Sequence, residues 1–168
     1  MSGAERTVRA VPATPELIDA ERRNPAELAA ALGAELPADW PPEFHDPAAL
    51  RYSHEALKAP GSAGWWLHYF LAGPALVGVG GFKGPPEAGA VEVGYSIVPS
   101  EQRRGYATAA VGELIESGRE RGATRVRAET LPSLTPSIRV LEKLGFTEVR
   151  RVQSDEVGAT NVVTMKPL

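Results

Sequence analysis

Apolar residues in this chain fall in short runs whose spacing alternates between every second position and every third or fourth, and each change marks a predicted element. Residues 6–11, RTVRAV, alternate as a first strand. Over 13–33, ATPELIDAERRNPAELAAALG, helix formers dominate but are interrupted at Asn24-Pro25, which predicts two short helices with a break. LPADWPPEFHDP, with four prolines, reads as loop, and ALRYSHEALKA as another short helix.

Residues 65–82, WWLHYFLAGPALVGVGGF, are nearly all apolar and long enough to be taken for a membrane span. His68, Pro74 and the Ala72-Gly73-Pro74 turn signal argue instead for a hairpin of two buried strands, about 65–71 and 75–82. KGPPEAGA then joins the hairpin to the strand VEVGYSIV.

A helix follows from about Gly105 to Arg121, with Ala107, Ala110, Val111, Leu114, Ile115 and Gly118 on one face and Gly122 at its end. The small residues on that face let it lie close to a sheet. TRVRAETL is a further strand. Thr135 is read as the cap of a helix whose first position is Pro136 and which stops at Gly145. FTEVRRVQS and NVVTMKPL finish the chain as a hairpin across DEVGAT. This order predicts an α/β sandwich: one domain over residues 1–168, built on a mixed, mostly antiparallel sheet of about six to seven strands flanked by helices.

Composition narrows the function. At 168 residues with 43% apolar content, a single core is expected. A formal charge of −3 supplies no basic field for nucleic acid. Without cysteine there is no disulfide, thiolate metal site or cysteine nucleophile. The charged start MSGAERTVRA argues against a secretory signal and sets a cytoplasmic expectation. No GxSxG or HExxH occurs, and GVGGFKG at 78–84 lacks both the third glycine of a dinucleotide loop and a following helix. That glycine cluster reads as strand and turn, and no metal site is expected.

The junction EQRRGYAT, residues 101–108, carries the chemistry. A strand that turns through a glycine into a helix presents unpaired N–H groups, reinforced by the helix dipole, and such an end binds phosphate. Gly105 lets the backbone approach a ligand, Ala107 leaves the next turn uncrowded, and Arg103 and Arg104 add charge that a diphosphate favours. In isolation QRRG would more often be a solvated loop; its place between an evident strand and an amphipathic helix reverses that weighting.

VEVGYSIVPSEQRRGYATAAVGELI resembles the central strand, acyl-CoA pyrophosphate loop and following helix of the GNAT acetyltransferases, whose Q/R-x-x-G-x-G/A loop is matched by Gln102 to Ala107. SIRVLEKLGF, at 137–146, is similar to the family's later helix–strand junction. The branch most like this chain contains the ribosomal-protein N-terminal acetyltransferases. The resemblance implies a splayed central strand pair, with pantetheine lying against Ile97 and Val98 and a backbone N–H near Val98 polarising the thioester carbonyl. It implies that the pyrophosphate rests on Gln102, Arg103, Arg104, Gly105, Tyr106, Ala107 and Thr108. Acetyl-CoA would be co-substrate, without metal, and a primary amine, on a small molecule or a peptide N-terminus, would attack directly. Neither nucleic acid nor membrane is an expected partner, and a homodimer is allowed for.

Two positions depart from the family pattern: Leu134 and Leu141 stand where many members have asparagine and a tyrosine acid. The alternative reading is therefore a non-catalytic acyl-CoA-binding or sensor module of the same fold. Ser137 is retained, either as a cofactor contact or as a simple cap. Glu92, a carboxylate on an otherwise apolar strand, is the candidate base, with Glu129 on the opposing strand as its substitute and an ion-pair role as the plain reading. His68 reads as a packed histidine, Arg22-Arg23 as a solvated face, and Trp40, His45 and His54 as acceptor-side contacts.

Overall fold

The computed structural model describes residues 7–153 and 160–168; Arg6 and all but the last residue of the DEVGAT connection lie outside them. Among the described residues the order is β1 (Arg9–Pro12), α1 (Pro15–Arg23), α2 (Pro25–Leu32), α3 (Pro47–Ala56), β2 (Leu67–Ala72), β3 (Ala75–Phe82) and β4 (Ala90–Ile97). A 3-10 turn, Pro99–Glu101, then leads to α4 (Tyr106–Glu120), β5 (Arg125–Thr130), α5 (Thr135–Lys143), β6 (Thr147–Gln153) and β7 (Thr160–Pro167). The seven strands form one sheet in the order β1-β2-β3-β4-β5-β7-β6. Only β4 and β5 run parallel; every other neighbouring pair is antiparallel.

Local chemistry sets the helix starts. Thr14, Asn24 and Asp46 each accept a first-turn N–H at the heads of α1, α2 and α3, with proline just inside. Asn24 also ends α1, so the break at Asn24-Pro25 falls where one helix stops and the next begins. The expected cap of α5 is corrected: Thr135 is the first helical residue, and Leu134 precedes it without a side-chain cap. Leu134 has no side-chain oxygen to offer the first turn.

Residues 67–82 form the β2–β3 hairpin, its first strand starting two residues later than expected, and no helix among the described residues is long and apolar enough to cross a membrane. A cluster on one sheet face joins Phe70, Phe82, Val91, Val93 and Ile97 to Ala110, Val111 and Leu114 of α4 and Leu141 of α5. The other face gathers Tyr69, Leu71, Leu76 and Val79 with Ile18, Leu28 and Leu50 of the first three helices. A bulge lies between the two, where Phe70 faces Gly78 but Leu71 faces Leu76, leaving Val77 as the extra residue. The glycines of β3 are there for closeness: a Cβ on Gly78 would stand 2.3 Å from the Ser96 carbonyl oxygen. Gly118 likewise lets α4 settle on Phe82, whose ring would be 3.2 Å from an added Cβ.

His68 and Glu21 are among the polar groups buried inside. His68 is 2% exposed, with Nδ1 2.9 Å from the Trp66 carbonyl oxygen, and burial pushes its pKa from 6.5 to about 4. Glu21 takes the Trp40 Nε1–H at 2.9 Å, lies 2.8 Å from His45 Nε2, and accepts the Tyr69 hydroxyl at 2.7 Å. Burial alone would raise the Glu21 pKa; the bonds and charge from His45, with the Tyr69 and Trp40 bonds, outweigh it and hold the carboxyl below 4.5.

Both groups bind protons more weakly folded than unfolded, so stability falls with falling pH. For His68 the loss begins near the ordinary value of 6.5 and is complete below about 4, amounting to about 3 kcal/mol. Glu21 adds a further loss below 4.5. Urea unfolding at a series of pH values should show the midpoint declining from pH 6.5 downward, and His68→Gln should flatten the part above pH 4.5. A wild-type midpoint constant between pH 6.5 and 4.5 contradicts the assignment.

Candidate functional site

The parallel ladder between β4 and β5 is short. It pairs Ala90 with Arg125, Val91 with Val126 and Glu92 with Arg127, and stops there, although β4 continues to Ile97 and β5 to Thr130. Meanwhile β4 stays on β3 to its end, where the Val98 N–H donates to the Val77 carbonyl at 3.0 Å. The two strands therefore open like a V whose vertex is the Glu92–Arg127 pair.

Antiparallel alternation then decides which backbone groups face the gap. Lys83 N–H donates to the Glu92 carbonyl and Val98 N–H to Val77, so even-numbered residues of β4 point toward β3. The odd-numbered ones, Tyr95 and Ile97, point their N–H and C=O into the opening. Near Val98 the backbone N–H that faces the opening is thus that of Ile97, because that of Val98 is already bonded to Val77. The Ile97 carbonyl accepts the Gln102 side-chain amide at 2.9 Å, so Gln102 braces the strand end against the loop.

Beyond that brace the backbone turns sharply. Arg103 lies at φ 61° and Gly105 at φ 82°, both left-handed, and Gly105 heads α4 without a side-chain cap. Gly105 has no side chain with which to cap the first turn of this fifteen-residue helix. Arg103, Arg104 and Gly105 are exposed, with Arg104 3.6 Å from Glu101. An open strand edge, a braced turn and a bare helix head follow one another along one line.

On the sheet face away from α4, the vertex carries charge. Glu92 lies 3.5 Å from Lys83 Nζ and 3.6 Å from Arg127 Nη2, and the same nitrogen lies 3.4 Å from Glu129. Asn161 donates its Nδ2–H to Glu129 at 2.9 Å. Arg127 thus links both candidate bases, and burial leaves Glu92 Oε1, Arg127 Nε and Asn161 Oδ1 without a hydrogen-bond partner. The segment at 39–45 packs beside this face. Asp39 accepts both the Ser100 N–H and its hydroxyl at 2.8 Å, and Trp40 and His45 are turned in to Glu21. His45, expected as an acceptor-side contact, is instead 5% exposed, and His54 pairs with Asp19 at 3.3 Å.

A model of the acetyltransferase (GNAT) domain matches residues 17–147. The chain belongs to the GNAT acetyltransferase family. YjdG of Bacillus subtilis (strain 168), described as an uncharacterized N-acetyltransferase, is 32% identical over 136 residues, covering 77% of this chain and 80% of that protein. RimL, a ribosomal L7/L12 α-N-protein acetyltransferase solved with coenzyme A, superposes with a TM-score of 0.71 at 16% identity, over 99% of this chain and 97% of that one. The acetyltransferase yncA of Salmonella typhimurium, solved with acetyl-CoA, gives 0.65 at 18% identity, over 96% and 94%. The fold is the GNAT fold, and the enzyme is an acetyl-CoA-dependent N-acetyltransferase.

In this GNAT chain Leu141 is 1% exposed inside the core, so α5 presents no acid at that position. Ser137 lies in the first turn of α5, and its main-chain carbonyl accepts the Tyr95 hydroxyl at 3.1 Å. Sequence reasoning passed over Tyr95; its signal was an aromatic with a hydroxyl placed directly after Gly94 in an apolar strand. It also passed over Glu21, whose spacing of three from Ile18 puts a carboxylate on the buried side of α1.

Replacing Arg127 by alanine should lower stability by about 1–3 kcal/mol, because two carboxylates, one of them with an inaccessible oxygen, lose their common cation. An unchanged midpoint in urea means these pairs contribute nothing.

Proposed function

We propose that the gap between β4 and β5 binds acetyl-CoA and that a primary amine, of a small molecule or a peptide N-terminus, takes the acetyl group directly. The observation that carries this is the alignment of the gap, the Gln102 brace and the bare head of α4. Amides from Arg103 to Thr108 would hold the pyrophosphate, with Gln102 keeping the loop and Ile97 in register. Arg103 and Arg104, both exposed, would add long-range attraction. Ile97 and Val98 would line the pantetheine, and the Ile97 N–H would donate to the thioester carbonyl where negative charge gathers during attack. RimL and yncA, of like fold, were solved with coenzyme A and acetyl-CoA, which supports this reading.

Acetyl-CoA supplies an acetyl group on a good leaving group, since a thiol of pKa about 8.5 departs readily as thiolate. The amine needs more help: an alkyl amine has a pKa of about 10.4, an α-amine about 7.7 to 8.0, and either attacks only after losing a proton. Glu92 is proposed to receive that proton at the vertex, directly or through water. It is paired with Lys83 and Arg127, and Arg127 ties it to Glu129, which would share the positive charge of the arriving amine. Ser137 stands across the gap, where its hydroxyl would contact the sulfur.

Arg104→Ala should weaken coenzyme A binding less than about fivefold, as a half-exposed ion-paired arginine contributes little. Gly105→Val should weaken it more than about tenfold, because a β-branched residue resists φ 82° even though nothing crowds its Cβ. Equal losses by calorimetry would mean that charge, not backbone shape, holds the pyrophosphate.

Glu92→Gln should slow turnover with an amine panel by roughly 10²-fold to 10⁴-fold while leaving acetyl-CoA affinity nearly unchanged. The residual rate should rise toward higher pH, where the amine is already neutral. A folded Glu92→Gln enzyme with its full rate at pH 7 makes Glu92 structural.

A further inference from the structure

Tyr95 stands at a place in the cleft that the reading above leaves without a task. It lies on β4 between Ile97, whose N–H faces the gap, and Glu92, where the gap closes. Its side chain is on the opposite sheet face from Glu92, packed against the core under α4 and α5. Across the ladder it is paired with Gly80, where the Phe70 ring occupies the room a side chain would need: a Cβ there would come within 2.4 Å of it. The Tyr95 ring is thereby kept from leaning toward β3. It leans the other way, and its hydroxyl donates to the Ser137 carbonyl in the first turn of α5. One side chain thus crosses from one arm of the V to the helix that follows the other.

The bridge is durable. Burial pushes the Tyr95 hydroxyl up to about 12, so it stays protonated and donating at neutral pH. A ring fixed at both ends, at the narrowing end of the gap, has little freedom to move aside for a longer chain. A packed interior answers added methylenes with strain.

We infer that the Tyr95 ring is the end wall of the acyl pocket and restricts the enzyme to short acyl groups, acetyl being admitted and butyryl obstructed. The inference rests on the proposal that the gap holds an acyl-CoA thioester. Its chemistry is that of a specificity-determining residue: the ring takes no proton and forms no bond, and discriminates by volume alone. Each methylene that a pocket refuses is worth about tenfold or more in discrimination.

Binding by calorimetry tests this without knowledge of the acceptor amine, using coenzyme A, acetyl-CoA and butyryl-CoA on the full chain. Wild-type protein should bind butyryl-CoA at least about tenfold more weakly than acetyl-CoA, and Tyr95→Ala and Tyr95→Leu should remove that difference. Tyr95→Phe, which keeps the ring and loses only the bond to Ser137, should retain it to within about twofold of wild type. Coenzyme A itself should bind all four proteins alike, which shows each variant folded and its pyrophosphate loop intact. If Tyr95→Ala fails this control, Tyr95→Leu, closer in volume, carries the comparison. Equal binding of acetyl-CoA and butyryl-CoA by wild type, or an undiminished preference in Tyr95→Leu, overturns the inference. So does a Tyr95→Phe variant that relaxes as far as Tyr95→Leu, because the limit would then lie in the hydroxyl bridge and not the ring. If wild type binds no coenzyme A, it is the assignment of the gap that fails, and that failure is read separately.

Discussion

Everything functional in this chain depends on a ladder that stops early. Two parallel strands that paired along their whole length would bury their facing amides in one another and leave no edge for a ligand. Here the pairing ends at Glu92 and Arg127, and the strands part. The unpaired length of β4 keeps its shape because β3 holds it on the other side as far as Val98. The opening is a rigid half-strand facing a void, and an extended ligand with amide groups of its own is the natural occupant of such an edge.

The two faces of the sheet divide the work around that edge. On one side lie α4, α5 and an apolar cluster reaching Ile97 and Tyr95. On the other lie the charged vertex and the segment tied down at Asp39 and Glu21. The alternation of side chains along one strand separates a dry wall from a charged one: Glu92 and Ser96 face one way, Val93 and Ile97 the other.

Much of this was legible in the sequence because it is written locally. Proline, asparagine and glycine at the element ends mark α1, α2 and α4, and a Gly105 between strand and helix announces a bare helix head. The charge of Glu92 within an apolar run was likewise visible. What stayed hidden was contact between distant residues. Nothing local says that Tyr95 reaches Ser137, that Arg127 lies between Glu92 and Glu129, or that Trp40, His45 and Tyr69 converge on Glu21. Thr135 misled because a threonine before a proline is a frequent cap; the chain enters α5 one residue sooner. That the N–H of Ile97, and not that of Val98, faces the opening turned on strand parity, and a one-residue change of parity cannot be seen without the partner strand.

The bulge at Val77 bears on that parity. Removing one residue there would leave a regular hairpin with Leu71 still opposite Leu76 and Phe70 still opposite Gly78, so by count alone Val77 is surplus to β2 and β3. Its carbonyl is nevertheless the group that secures Val98, the residue after the last one of β4. A homologue shortened by that single position would lose a fully buried side chain from the core under α4 and would have to fasten Val98 to the carbonyl of a different residue. Chain length at this one point, which no composition or motif reveals, is therefore tied to the next strand as well as to the hairpin that carries it.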